Sequence, residues 1–204
     1  TGDNIIEIDH PSHDMFCAHQ VMLEDGKVFV SGGRNHGNSP WTSVFDLNTE
    51  TWVPLNNMNR GRWYPTSLAL ADGSVFTAIG SGGGNTGEKY NPDTGTWNLL
   101  TGLNFNPMIL NYSSAQYGER DWWPLFNLAP DGRVFHSGPT PQMHFIDTAG
   151  TGTATEVLDE FTDWYPKHGT TIMYDEGKLL TAGGWSNGST LASTNQAITI
   201  DLNQ

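Results

Sequence analysis

Four stretches of the chain repeat one pattern of apolar and polar positions. Each contains a short apolar run, an acidic residue followed by glycine, a second apolar run, and then one or two glycines. They cover residues 19–33, 66–83, 124–138 and 170–184. Two apolar runs joined at such a turn predict a β-hairpin, because glycine tolerates the positive φ of a tight turn.

The spacing of these hairpins predicts the fold. The turns fall at Asp25, Asp72, Asp131 and Glu176, at intervals of 47, 59 and 45 residues. In the first two repeats a second hairpin with a late tryptophan follows the glycines. A repeat of ~50 residues with these features is the kelch signature of a β-propeller. A β-sandwich with coincidental turns is the alternative, which four aligned turns with trailing glycines disfavour.

The chain is therefore expected to be all-β, a partial kelch-type propeller of about four blades. No stretch sustains a helical period. A propeller closes its blades into a ring, and the sequence ends just after an apolar strand, AITI, with no closing element. We therefore expect a larger ring that continues beyond Gln204, with a closed four-blade ring as the less common option.

Charge limits the partners. The 22 acidic against 9 basic residues give a net charge of −13. Such a surface repels phosphate backbones and anionic lipid, so neither nucleic acid nor a membrane is an expected partner. The low charged fraction, 15%, together with many Asn, Thr, Ser and Gly, suggests a secreted, extracellular protein. The sequence shows no signal peptide and no segment as long as a membrane span.

Two short segments stand out from the repeat. HDMFC (13–17) precedes the first strand of the first blade, and RGRWYPTS (60–67) holds the matching place before the second. In a propeller such loops meet at one end of the central channel. Cys17 and Tyr64 are 47 residues apart, one repeat, so we expect them side by side. The lone cysteine could otherwise be a small buried apolar residue.

HDMFC followed one blade later by RGRWYPTS resembles the galactose oxidase and glyoxal oxidase family of copper radical oxidases. Asn106 to Met108 and the DGRVF hairpin also match this family. The resemblance implies a thioether between Cys17 and Tyr64, with the modified Tyr64 binding copper and holding a radical. The implied reaction is oxidation of a small alcohol, aldehyde or carbohydrate by O₂, which yields hydrogen peroxide.

The chemistry of the pair supports this interpretation. Copper cycling between two oxidation states carries one electron, whereas oxidising an alcohol or an aldehyde hydrate takes a pair. A redox-active ligand can hold the other electron, and sulfur on the phenol ring makes the ring easier to oxidise. A phenolate and imidazoles in a tetragonal arrangement suit Cu(II).

The long insert at 108–123 is where substrate residues are expected, since long loops on rigid scaffolds tend to carry function. The resemblance implies that Arg120 binds substrate, although it could instead pair with Glu119 or Asp121. Trp122 and Phe16 are the other expected substrate residues. The seven histidines are scattered without a close metal-type pair, so none is assigned as a ligand.

The chain departs from the family in two places. Galactose oxidase has a tryptophan stacked on the Tyr-Cys unit after the second-blade glycines, where this chain has Gly82 to Gly84. The family's other copper ligands include a Tyr-His pair, and no Tyr-His dipeptide occurs here. Residues 1–204 are therefore expected to be part of one catalytic propeller domain, inactive without the rest of the ring.

Two other functions fit the same repeats. One is a non-catalytic kelch propeller that binds a glycan or a protein through its loops. The other is a family member that keeps the fold and has lost copper. Copper content and the thioether distinguish the oxidase from both.

Overall fold

The computed structural model describes residues 5–34, 37–108, 123–157, 164–185 and 192–203, and it confirms an all-β propeller arrangement. Blade 1 contains β1 (His19–Met22), β2 (Val28–Ser31), β3 (Thr42–Asp46) and β4 (Thr51–Pro54). Blade 2 contains β5 (Thr66–Ala69), β6 (Val75–Ala78), β7 (Gly87–Asn91) and β8 (Thr96–Leu100). Blade 3 contains β9 (Phe126–Leu128), β10 (Val134–His136), β11 (His144–Asp147) and β12 (Thr153–Glu156). Blade 4 contains β13 (Thr170–Asp175), β14 (Lys178–Ala182) and β15 (Ala197–Asp201).

Each blade is an antiparallel meander whose strands pair in chain order. The acid-Gly turns join the first two strands, and the four turn glycines have φ between +67° and +87°. In the first three blades the turn aspartate accepts a hydrogen bond from the backbone N–H two residues later. This local bond explains why aspartate precedes the glycine there.

The blades contact one another through their first strands. β1 packs against β5, β5 against β9, and β9 against β13. The first strand of each blade is thus the innermost, and the loop leading into it lies at the centre of the assembly. This arrangement places the segments that precede β1 and β5 beside each other.

Apolar side chains fill the spaces between successive blades. Phe29, Val75 and Trp97 belong to the cluster between blades 1 and 2. Phe76, Phe105 and Phe126 belong to the larger cluster between blades 2 and 3. Phe135, Trp164 and Leu179 form most of the cluster between blades 3 and 4.

Regular helix is limited to one 3-10 turn, Asn106–Met108, within the described residues. Across the same residues there is no helix long and apolar enough to span a lipid bilayer. The third repeat also forms a full four-stranded blade, although its sequence carries no clear second hairpin. Its outer strand β12 is exposed along its whole length, so an apolar pattern was never required there.

Candidate active site

Cys17 and Tyr64 lie side by side at the inner end of blades 1 and 2. The backbone N–H of Tyr64 donates to the carbonyl of Cys17 at 3.0 Å. Both residues have a φ of +59°, which costs a non-glycine residue roughly 1–2 kcal/mol. Strain of this kind persists where the surroundings enforce it and is concentrated at functional sites. The structure therefore brings the two predicted residues together.

The same backbone position recurs in the next two blades. Trp123 has a φ of +48° and His168 a φ of +60°. Each of the four residues precedes the acidic residue of its blade's turn by eight positions. The N–H of Trp123 donates to the carbonyl of Tyr64 at 3.3 Å, which repeats the Tyr64–Cys17 bond. Cys17, Tyr64, Trp123 and His168, which we call the inner ring, are thus equivalent residues of successive blades.

Aromatic contacts follow the inner ring. The Tyr64 ring has Trp63 and Trp123 as neighbours, each with its ring centroid 4.3 Å away. Trp123 then contacts His168 at 5.6 Å, and His168 contacts Trp185 at 5.5 Å. Neither Trp123 nor His168 was singled out in the sequence analysis. Both could have been identified from the sequence, because each lies eight residues before the acidic residue of its turn, as Cys17 and Tyr64 do.

A buried ion pair fixes the loop that carries Tyr64. The side chains of Arg62 and Glu88 are both fully buried and meet at 2.9 Å. Arg62 also donates to the carbonyls of Ile79 and Thr86. Glu88 accepts hydrogen bonds from the backbone N–H groups of Asn59 and Arg60. The pair therefore ties the segment before Tyr64 to strands of its own blade.

His13 fixes the segment that carries Cys17. Its Nε2 lies 2.6 Å from the carbonyl oxygen of Gly32, and its Nδ1 lies 3.1 Å from Ser43 Oγ. A carbonyl can only accept, so Nε2 carries the hydrogen and Nδ1 accepts from the serine hydroxyl. Burial lowers the pKa of His13, which favours this neutral form. Gly33 completes the support, because a Cβ there would come within 2.3 Å of the Asp14 carbonyl oxygen.

The glycines from Gly82 to Gly84, where the resemblance implies a stacked tryptophan, begin at a crowded position. Gly82 has a φ of +85°, and an added Cβ would lie 1.9 Å from the side-chain nitrogen of Asn38. Asn38 of blade 1 thus occupies the space in which a larger residue at 82 would begin. The rings of Trp63 and Trp123 contact Tyr64 instead, so Tyr64 has aromatic neighbours without a tryptophan after these glycines.

Of the three predicted substrate residues, the structure describes Phe16. Phe16 is 60% exposed, with its ring centroid 6.3 Å from that of Trp63. Arg120 and Trp122 lie outside the described residues. Arg34, which sequence reasoning did not single out, places its guanidinium 4.5 Å from the centre of the Trp63 ring. Phe16, Trp63 and Arg34 together form an accessible aromatic and cationic surface next to Tyr64.

The described residues supply one donor of the expected copper set, the phenol of Tyr64. No group of three or more His, Cys, Asp or Glu side chains within the described ranges could hold a metal ion. The phenol of Tyr64 is half-buried and lies beside Cys17, which is suitable for the tyrosine ligand of a copper site. The other expected ligands are not among these residues.

The chain is similar in sequence to a known protein motif and to known proteins. The Kelch motif matches residues 16–59. Galactose oxidase of Gibberella zeae is 32% identical over 182 residues, which cover 84% of this chain and 26% of that protein. Aldehyde oxidase GLOX of Vitis pseudoreticulata is 27% identical over 136 residues, covering 60% of this chain and 23% of that protein.

A solved structure extends the likeness to three dimensions. A novel fungal alcohol oxidase of the AA5 family, in complex with copper, superposes with a TM-score of 0.83 and 32% identity. The alignment covers 94% of this chain and 40% of that one.

Blade topology, kelch repeats and inner loops define a kelch-type β-propeller. Within that class, the chain belongs to the galactose oxidase and glyoxal oxidase family of copper radical oxidases. This confirms both the resemblance and the predicted fold class. The chain spans about a quarter of the length of the galactose oxidase that it matches.

Proposed function

We propose that this chain is part of a secreted copper radical oxidase that oxidises a primary alcohol or an aldehyde with O₂ and releases hydrogen peroxide. The observation that carries the proposal is the backbone hydrogen bond from Tyr64 to Cys17. It joins the two residues of the family's most specific motif pair across two blades. Family membership supports the oxidase class, and the local geometry supports these two residues as its redox centre.

In this proposal Cys17 and Tyr64 become one cofactor. The Cys17 sulfur bonds to the Tyr64 ring, and the S–H and a ring C–H are lost as two protons and two electrons, with O₂ as the electron acceptor. The electron-donating sulfur then makes the ring easier to oxidise. Copper, when bound, supplies a one-electron redox partner to Tyr64, so that the site can take up an electron pair.

The surrounding residues have distinct roles in such a site. The buried Arg62–Glu88 pair fixes the loop of Tyr64 to blade 2, and the bonds of His13 fix the segment of Cys17 to blade 1. Trp63 and Trp123 contact the Tyr64 ring at tilted and edge-on angles and cover part of it, which reduces the access of water to an oxidised ring. These are positioning and shielding roles that need no direct contact with substrate.

The substrate is proposed to approach over the surface formed by Phe16, Trp63 and Arg34. Aromatic rings pack against the apolar face of a sugar or a small alcohol, and a guanidinium donates hydrogen bonds to its oxygens. Arg120 and Trp122 remain predictions for the same side of the site. The reaction removes two protons and two electrons from the hydroxyl group and its carbon, or from the hydrate of an aldehyde. O₂ takes up both electrons and both protons and becomes hydrogen peroxide.

Peptide mass spectrometry of the full-length protein, produced with copper, tests the proposal. We expect the peptides containing Cys17 and Tyr64 to be joined, resistant to reductant and lighter by a pair of hydrogens. Cys17→Ser is the matched control, since it keeps a small polar side chain and cannot form a thioether. A free Cys17 thiol in the copper-loaded full-length protein would contradict the radical oxidase.

A binding module is the second candidate, and the exposed position of Phe16 favours it. Phe16 is 60% exposed beside Trp63 and Arg34, an arrangement suited to a sugar ring. If Cys17 is free, a glycan array would then identify a ligand, and Trp63→Ala should abolish its binding. Loss of binding in that variant with an intact fold would support the binding module.

A further inference from the structure

His136 and His144 form a buried pair in the body of blade 3. They lie directly opposite each other on β10 and β11, with ring centroids 5.5 Å apart. Their side chains are on the same face as Val134 and Ile146, which belong to the cluster between blades 2 and 3. His136 has no exposed surface and His144 is 4% exposed. The pair is therefore separate from Tyr64, which lies in the loop before β5.

The repeat shows what is unusual about this pair. Each of His136 and Thr77 follows the acidic residue of its turn by five positions. The cross-strand partner of Thr77 is Glu88, so His144 holds the place of Glu88. In blade 2 that place is satisfied by the Arg62 guanidinium. In blade 3 two imidazoles replace the hydroxyl and the carboxylate.

Three of the four imidazole nitrogens of this pair lack hydrogen-bond partners. Both ring nitrogens of His136 and Nδ1 of His144 are buried without one. The carbonyls of Gly138, Gln142 and Met108 lie near His136 and favour its protonated ring, but none makes a hydrogen bond of normal geometry. An unsatisfied buried polar group costs about 1–3 kcal/mol, so three such nitrogens call for a ligand.

An imidazole binds a metal through the lone pair of a ring nitrogen that carries no hydrogen. Both ring nitrogens of His136 are buried without a hydrogen-bond partner. Whichever of them carries the hydrogen of the neutral ring, the other therefore has a lone pair in the interior that no protein group uses.

A cleft leads from the surface to His144. It is lined by His144, Met108, Asn104 and Glu156 among others, and Met108 is itself fully buried. Met108 and His144 thus line the same cleft, and Glu156, whose side chain is exposed, lines it as well. The described residues bring no third His, Cys, Asp or Glu close enough to share an ion with the pair.

We propose that His136, His144 and Met108 form a binding site for one soft monovalent transition-metal ion, Cu(I). Two imidazoles on one ion, with metal–nitrogen bonds of ~2.0 Å, have ring centres about 5–6 Å apart, as observed here. Thioether ligands select Cu(I), and imidazole also binds copper. A single positive charge with neutral ligands is less costly to bury than a divalent ion.

Competition with bicinchoninate under anaerobic, reducing conditions tests the site in the metal-free full-length protein. The Tyr64→Phe background is used throughout, so that the proposed oxidase site contributes equally to every sample. His144→Asn should weaken binding of one Cu(I) equivalent by at least ~100-fold, and Met108→Leu by ~10-fold. His10→Asn, a matched exchange in the segment before β1, should leave Cu(I) binding unchanged.

Binding by His144→Asn that equals that of His10→Asn would overturn the site. An anomalous difference map from crystals soaked in Cu(I) gives an independent measurement that needs no variant. A peak between the rings of His136 and His144 supports the proposal. A map without a peak there overturns it, even if His144→Asn fails to fold.

Discussion

Arg62 and Glu88 show how a single residue pair controls the position of Tyr64. Both side chains are fully buried. A buried ion pair adds little net stability compared with a well-packed apolar pair. The pair fixes the position of the loop before Tyr64: Glu88 accepts from the backbone N–H groups of Asn59 and Arg60 in that loop. Arg62, which belongs to the loop, donates to backbone carbonyls beside β6 and β7. Removing one partner leaves the other as an uncompensated buried charge.

Glu88→Gln should therefore lower the free energy of unfolding by about 3 kcal/mol. The amide keeps the shape of the side chain but not the charge that offsets Arg62. Urea unfolding of the full-length protein measures the change. Asp175→Asn is the control, since it removes an exposed ion pair with Lys178 and should barely move the midpoint. Equal stability of Glu88→Gln and the natural protein would contradict the structural role.

Gly33 supports Cys17 through a close backbone approach. A Cβ at Gly33 would lie 2.3 Å from the Asp14 carbonyl oxygen, whereas a Cβ at Gly26 meets no atom within 4 Å. Both glycines have positive φ, so both alanine variants carry roughly 1–2 kcal/mol of strain.

Gly33→Ala should therefore destabilise the protein more than Gly26→Ala and should also slow formation of the thioether. The extra effect comes from displacement of Asp14, three residues before Cys17. Thermal unfolding and the cross-linked fraction by mass spectrometry are compared for the two variants. Indistinguishable results would mean that the contact at Asp14 does not matter.

At the level of strands, polar contacts join the inner edges of blades 1 and 2. His19 Nδ1 on β1 accepts from the backbone N–H of Ser67 on β5 at 3.2 Å. The hydroxyl of Ser67 lies 2.8 Å from that of Ser31 and 2.9 Å from that of Thr77. Only a neutral His19 can accept the Ser67 bond through Nδ1, so this junction depends on protonation.

His19 should make the protein less stable in mild acid. Burial lowers its pKa from 6.5 to about 4. Between these values the unfolded chain binds a proton that the folded chain does not, so stability falls as pH falls from 6.5 to 4. His19→Gln, whose carbonyl oxygen can still accept from Ser67, should flatten this decline by up to ~1.4 kcal/mol per pH unit. Parallel stability curves from pH 4 to 7 would exclude a role for His19.

Strand-level structure was largely predictable because it is locally encoded. The turns at Asp25, Asp72 and Asp131 combine a side-chain acceptor with a glycine, and these signals need no knowledge of the rest of the fold. The pairing of His136 with His144 could not be predicted in this way. Its register depends on the length of the connection between β10 and β11, which no turn motif marks.

The repeat period made part of the candidate site predictable, because residues one period apart lie next to each other in adjacent blades. One period separates Cys17 from Tyr64, and the structure joins them. The fourth inner-ring position, His168, follows the same rule but lacks a family motif that would draw attention to it. Arg62 and Glu88 were missed for a physical reason, since charged residues are almost never fully buried and their pairing arises only on folding.

At the scale of the whole molecule, the first and last blades differ from the middle ones. Large apolar side chains are exposed on blade 1, at Met22 and Val53, and on blade 4, at Ile172, Tyr174 and Leu180. Blades 2 and 3 bury their equivalent faces against neighbours. A propeller protects such faces by adding blades, because each repeat is stable only against the next.

Residues 1–204 produced alone should therefore self-associate and bind the dye ANS, and a protein extended by further blades should do neither. Sedimentation velocity and dye fluorescence of the two proteins, compared at equal concentration, measure this difference. A monodisperse, dye-free monomer of residues 1–204 would show that the outer faces are tolerated in water.

The one-repeat separation of Cys17 and Tyr64 also has a consequence for biosynthesis. A ribosome adds about 5–20 residues per second, so the 47 residues between them are made in roughly 2–9 s. The partners of the proposed cross-link are thus both translated before blade 3 begins. The two residues can therefore meet in the nascent chain, and a translational pause after blade 2 would lengthen the time available for this. Blade 2 also contains Tyr90, but that side chain is buried in the core, so it does not compete with Tyr64 for the thiol once the blade has folded.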